Sequence, residues 1–374
     1  MKLVFASDSF KGTLTSKEIS GLLTVASKEI FGDCETVSVT LADGGEGTLD
    51  ALLDQGTGEK IPLTVSDPLV NPVTANYGVL GGSVAVVEMA QASGLTLVPA
   101  EKRNPFYTSS YGTGEMIRAA LEAGYRDITV AIGGSATNDG GMGAARALGV
   151  RFLDRDGKPL KGYGNELGIV SEIDMSGLIK EARDAHITVM CDVKNPLCGP
   201  NGATFVYGPQ KGASSENAEE LESGMLHYRE IIIRTFGVDP DSIPGAGAAG
   251  GMGAMLKIFM GAELKSGIET LLDLIRFDDL IKGADYIITG EGRLDGQSCE
   301  GKAVQGVGLR AKRAGVHCIA LCGCLGTGYE QIRDYGITRI ESLADDNISP
   351  QYAMEHAKEL YYKKALKVFR DVLR

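Results

Sequence analysis

The sequence contains no tryptophan, and aromatic residues make up only 6% of its 374 positions. Its four histidines (His186, His227, His317 and His356) stand isolated. That spacing excludes HExxH-type metal sites, which need two imidazoles one helical turn apart. No run approaches ~18 consecutive apolar residues, so no membrane-spanning helix is expected. Met1–Lys2 leads into only four apolar residues, Leu3–Ala6, too short for a signal peptide, and a cytoplasmic protein is expected. The Walker A pattern is missing: Gly157–Lys158 and Gly301–Lys302 are followed by Pro159 and Ala303. No G-x-S-x-G elbow is present for serine hydrolysis. The seven cysteines are odd in number and show no disulfide-framework spacing, so reduced thiols are expected. Positive charge is also scarce. A net charge of −12 argues against nucleic-acid and anionic-membrane partners, both of which need a cationic field.

Glycine is abundant, at 51 residues without a collagen period. It falls mostly in loops that follow short β-branched runs. Leu3–Ala6, Val37–Leu41, Val84–Val87, Ile128–Ile132, Ile187–Cys191, Tyr286–Thr289 and Ile319–Cys322 each read as a buried strand leading into a polar, Gly-rich loop. Helical stretches follow several of them; Thr15 with Glu18 forms a capping box for one. Strands alternating with helices predict an α/β protein built on largely parallel sheets. In such sheets ligands bind at the carboxyl ends of the strands, near a point where strand order reverses. Several of these polar loops are therefore expected to share one edge. Residues 61–73 are extended and Pro-rich, residues 212–245 form a charged helical region, and a basic amphipathic helix begins near Pro350. We expect one domain made from both chain ends, residues 1–75 plus 280–374. Residues 76–279 would form an inserted second α/β domain, with the active-site cleft between the two.

The loop GGSATNDGG (133–141) follows a strand and opens a helix. Gly133, Gly134 and Gly140 would let the backbone approach an anion, while Ser135, Thr137, Asn138 and Asp139 offer groups suited to phosphate or Mg²⁺. A tight turn with helix capping is the alternative. In ASDSFKG, Asp8, Ser9 and Lys11 follow the first strand, and the Lys11 charge could hold a carboxylate or phosphate. In ADGGEGT, Asp43 and Glu46 flank Gly44 and Gly45; the two acids suit Mg²⁺, or Asp43 simply caps a helix. Asp192 follows another strand and could act as base or orient a substrate hydroxyl, with an Asx-turn as the competing role. TGEGRLDGQS joins Glu291, Arg293 and Asp295. Arg293 could neutralise a transferred phosphoryl group, or simply pair with a loop carboxylate. GAGAAGGMG has GxGxxG spacing at Gly245, Gly247 and Gly250, but follows a turn. A loop contacting nucleotide or substrate is expected there rather than a dinucleotide site.

Together SDSFKGTLTS, LADGGEGT, VEMAQASGL, SSYGTGEMIRAAL, IGGSATNDGGMG, CDVKNPLCGPNGAT, YGPQKGA, PGAGAAGGMG and TGEGRLDGQS resemble the type I glycerate kinase family, along nearly the whole chain. The resemblance implies a flavodoxin-like domain from both chain ends with an inserted domain. It also implies phosphorylation of D-glycerate to 2-phosphoglycerate by ATP with Mg²⁺. On that reading the 133–141 loop and Mg²⁺ hold the triphosphate. Lys11 or Arg293 meets the substrate carboxylate or the moving phosphoryl group, and Asp192 or Asp295 orients the attacking hydroxyl. Asp43 and Asp139 are the expected metal ligands. The competing functions are an NAD(P)-dependent hydroxy-acid dehydrogenase and a non-catalytic sugar-acid binding protein. The residues leave the oligomeric state open, a homodimer included.

Overall fold

The computed structural model describes residues 1–42, 44–55, 58–299, 301–345 and 347–372. The chain forms two compact units, residues 1–43 with 268–374 and residues 44–267. It opens with β1 (Lys2–Ser7), α1 (Ser16–Phe31) and β2 (Glu35–Ser38). Leu3 to Ala6 are fully buried, as a central parallel strand covered on both faces requires. The expected capping box starts α1. Thr15 Oγ1 accepts from the Glu18 amide at 3.2 Å, and the Glu18 carboxylate accepts from the Thr15 amide at 3.0 Å.

The middle unit follows, with β3 (Gly58–Ser66), β4 (Pro72–Leu80), β5 (Val84–Glu88), α2 (Tyr111–Glu122), β6 (Asp127–Ala131), α3 (Met142–Ala147), β7 (His186–Met190), α4 (Ala203–Tyr207), α5 (Ser215–Phe236), α6 (Met252–Met260) and β8 (Glu263–Lys265). Its sheet runs β8-β7-β6-β5-β4-β3. The strands from β5 to β8 are parallel, and β3 and β4 form an antiparallel edge. This pairing moves the domain boundary expected at residue 75. β4 finds its inner partner in β5, so residues 58–80 belong to the middle sheet rather than with the chain ends.

The chain then completes the first unit with β9 (Tyr286–Gly290), α7 (Ala303–Ala314), β10 (His317–Cys322), β11 (Ile337–Ser342) and α8 (Ala357–Val372). Its sheet order is β2-β1-β9-β10-β11, all parallel, which is the flavodoxin-like doubly wound order. The order reverses between β1 and β9, whose carboxyl ends meet at the Ser7–Gly290 pair. α1 and α8 cover one face. Phe369 is 1% exposed and its ring lies 6.4 Å from Phe5 and 5.5 Å from Phe31; burying such a side chain contributes about 2–3 kcal/mol. Among the described residues, no helix is long and apolar enough to cross a membrane.

Candidate functional site

In the middle unit the loops after β5, β6 and β7 meet at the carboxyl edge of the sheet. They meet through backbone. The Gly133 amide donates to Gly44 O at 3.0 Å, and a Cβ at Gly133 would lie 2.6 Å from Gly45 Cα. Gly44 has φ +86 and faces Met190 at the end of β7. The second glycine run closes on the same loop: the Gly140 amide donates to Gly250 O at 2.9 Å, and a Cβ at Gly250 would lie 2.1 Å from Thr137 O. Glycine in this run admits a neighbouring main chain. Gly44, Gly45, Gly133 and Gly140 are thus brought together with Gly250, and Gly134 stands exposed beside them with φ +73.

Asp139, expected as a metal ligand, is engaged within the protein. It is completely buried, and its carboxylate accepts from the Ser110 amide and hydroxyl (both 2.7 Å), the Gly141 amide (3.1 Å) and the Gly143 amide (3.2 Å). Three of these donors meet Oδ2 and one meets Oδ1, and burial nonetheless pushes the carboxyl pKa up. The same bonds close the start of α3. The Gly143 amide goes to Asp139 and the Ala144 amide to Ser110 Oγ, so the opening expected for an anion at this helix is capped from within. Glu88 does likewise for residues 47–49, accepting from the Gly47 and Leu49 amides at 3.0 and 2.9 Å, with burial raising its pKa. Asp43, the other expected metal ligand, lies outside the described residues. Asp192 is exposed and accepts from Ser266 Oγ (3.1 Å) and the Gly267 amide (2.7 Å), so it holds the end of the middle unit's chain.

What remains for a ligand is the stretch from Ser135 to Asn138. Ser135 is 7% exposed, while Thr137 and Asn138 are fully buried. Asn138 Nδ2 donates to Thr204 Oγ1 at 3.2 Å. Thr137 Oγ1 and Asn138 Oδ1 have no hydrogen-bond partner among the described residues. A residue not singled out from the sequence completes the group. Lys211 is 2% exposed, and its Nζ donates to Ser135 Oγ at 2.9 Å and Thr137 O at 2.7 Å. Burial draws its pKa down to about 7, against the field of Asp139. The only local signal was its place between Pro209 and Gly212 in YGPQKGA; its burial arises from residues 74 and 76 positions away.

In the first unit the switch point gathers the other group. The Asp8 amide donates to Gly290 O at 2.9 Å, and the Ser9 amide to Asp8 Oδ1 at 2.6 Å. Gly292 lets the strand-end loops run side by side, since a Cβ there would lie 3.3 Å from Phe10 Cα and 3.8 Å from the Lys11 nitrogen. Glu291 Oε1 is buried without a hydrogen-bond partner among the described residues. Burial, chiefly, raises the Glu291 pKa, and Asp8 and Asp295 add to the rise; a Ser298 hydrogen bond and Lys302 oppose it. Arg293 Nε lies 3.2 Å from Asp295 Oδ2, the competing loop ion pair, yet its side chain is 67% exposed. Asp295 Oδ1 accepts from the Gln297 amide at 3.0 Å. Ser298 and Lys302 had no signal in sequence beyond proximity to this loop. Asp8, Ser9, Lys11, Glu291, Arg293 and Asp295 are thus assembled in this unit, whereas the glycine and hydroxyl residues gather in the other. The polar strand ends divide between the two sheets, several loops sharing the carboxyl edge of each. No group of three or more His, Cys, Asp and Glu among the described residues is arranged to hold a metal alone.

Residues 3–373 match the model of the glycerate kinase family. The chain is 45% identical to a protein named glycerate 2-kinase from Escherichia coli (strain K12), over 92% of this chain and 90% of that one. It is 44% identical to a glycerate kinase from Halalkalibacterium halodurans, covering 97% and 96%. A crystal structure provisionally named glycerate kinase 2, from Salmonella typhimurium LT2, superposes with a TM-score of 0.86 at 41% identity, covering 100% of this chain and 98% of that one.

Proposed function

The chain belongs to the glycerate kinase family, and from that membership we propose that it transfers the terminal phosphoryl group of ATP to the 2-hydroxyl of D-glycerate in the cytoplasm, releasing ADP and 2-phosphoglycerate. The observation that carries this reading is the 45% identity to the E. coli glycerate 2-kinase over 92% of the chain. Each strand-end group offers features of the kind that such a transfer needs. Phosphoryl transfer depends on positioning and on stabilising spread negative charge rather than on a strong base. Ser135, Thr137 and Asn138 present hydroxyl and amide groups on a loop held rigid by Asp139 and the close-packed glycines. Lys11 and Arg293 carry exposed positive charge at the switch point for a carboxylate or the moving phosphoryl group. Asp295 orients the attacking hydroxyl better than Asp192, whose Oδ1 already accepts two donors.

Magnesium suits the first unit. Glu291 has a buried oxygen lacking a hydrogen-bond partner and is repelled by Asp8 and Asp295, a donor set that a hard cation with phosphate ligands completes. Glu291 and Asp8 would hold it, and when bound it would offset the phosphate charge. The test is an ADP-release assay over small hydroxy-acids, with phosphorus NMR of the product. Turnover with D-glycerate and a 2-phosphoglycerate resonance are expected. Absence of ADP release would overturn the reading, and a 3-phosphoglycerate resonance would correct the position.

A further inference from the structure

Lys211 is an unusual residue to find buried. Taking an ammonium out of water is costly unless it is paired, and among the described residues Lys211 makes no ion pair. Its partners are a hydroxyl and a main-chain carbonyl, at 2.9 and 2.7 Å. The one carboxylate whose field reaches it, Asp139, accepts from four other donors and makes no ion pair with it among the described residues. The hydrogen-bond logic at Ser135 then follows. An ammonium donates and cannot accept, so Ser135 Oγ is the acceptor in this bond, and its own proton must point away from Lys211. That hydroxyl donates to no acceptor among the described residues. It lies next to exposed Gly134 and close in sequence to Thr137 Oγ1 and Asn138 Oδ1, two buried oxygens without partners among the described residues.

We infer that Lys211 is a positioning residue that makes the Ser135 hydroxyl a directed donor for an anionic oxygen of the substrate pair, either the carboxylate of the hydroxy-acid or a phosphate of the nucleotide. The inference rests on the kinase reading and deepens it by naming what the serine recognises and what orients it. A contact of this kind forms with the bound ground state and persists through transfer, so its loss appears in KM rather than in kcat.

The test is steady-state kinetics on the full chain for Ser135→Ala, Lys211→Met and the double variant, with KM measured separately for D-glycerate and ATP. Each single change is expected to raise one and the same KM about 10- to 100-fold, as loss of a hydrogen bond to a charged group does, with kcat within about threefold. Because Lys211 acts through Ser135, the double variant is expected to match the worse single variant rather than multiply the two effects. The KM that moves identifies the oxyanion. Ser135→Ala removes one hydroxyl and carries the test even if Lys211→Met does not fold. Both KM values unchanged in Ser135→Ala, or a fully multiplicative double variant, would overturn the inference. Wild-type protein that releases no ADP with D-glycerate sinks the kinase reading instead. Calorimetric titration of wild type and Ser135→Ala with ADP and with D-glycerate then decides the inference, equal affinities counting against it.

Discussion

The loop after β6 and the loops after β1 and β9 occupy the same station of their sheets, but they are built differently. In the middle unit the strand-end loops are pressed main chain to main chain. Gly133 lies on Gly45 and Gly250 on Thr137, and the carboxylate of Asp139 ties residues 110, 141 and 143 together. In the first unit the loops carry exposed Lys11 and Arg293 and an incompletely satisfied Glu291. Close backbone approach is common to both, since a Cβ at Gly323 would lie 2.4 Å from Gly292 O, but the first unit adds the exposed charges of Lys11 and Arg293 at its rim. Substitutions of the packed glycines and of Asp139 should therefore report as stability, and substitutions of the exposed rim charges as turnover.

The largest expected effect is at Gly250. Gly250→Ala would set a Cβ 2.1 Å from Thr137 O at φ +70, and loss of about 3 kcal/mol or more is expected in urea unfolding. Gly296→Ala in the first unit meets nothing nearer than Thr327 O at 3.6 Å and should lose less than about 1 kcal/mol. Equal losses would show that close approach of backbone is not what requires glycine at 250. Next, Asp139→Asn should destabilise by about 3 kcal/mol, because an amide cannot accept all four donors. Asp295→Asn, part of a rim ion pair, should leave the melting temperature nearly unchanged while lowering kcat at least tenfold. If Asp295→Asn and Asp192→Asn both turn over normally, the carboxylate assignment fails. Third, Arg293→Ala should lower kcat/KM about 10- to 100-fold with unchanged stability, measured by initial rates and thermal melts.

The smallest effect is in pH. The Lys211 pKa is held down at about 7 by burial, so the ammonium is present below that value and lost as pH rises through it. Asp139 faces it from the loop, and Arg103, whose backbone lies against Gly212, turns its guanidinium to Val98 O at 3.3 Å. A neutral amine can accept the Ser135 proton, so affinity for the anion should fall severalfold between about pH 6 and 8 and stay flat in Ser135→Ala. A profile unchanged by that substitution would detach the titration from the serine.

Much of this was legible beforehand because it is local. The strand runs, the Gly-rich loops after them and the Thr15–Glu18 capping box depend on neighbours a few residues apart. The flavodoxin-like order came through resemblance. What failed depends on distant partners. Residues 61–73 read as extended, but only the pairing of β3 with β4 and of β4 with β5 places them in the middle sheet. Asp139 looked like a metal ligand because its consumer, Ser110, lies 29 positions earlier. Lys211 carries no motif of its own and becomes notable only when Ser135 and Thr137 surround its tip.

The placement of β1 at the heart of its sheet has a consequence for synthesis on the ribosome. Leu3 pairs with Tyr286, so the first strand translated must wait for a neighbour some 280 residues later. At ~5–20 residues per second that delay is on the order of tens of seconds. Throughout it, Leu3–Ala6, destined for complete burial, can pair with β2 but lacks its other strand neighbour until translation passes β9.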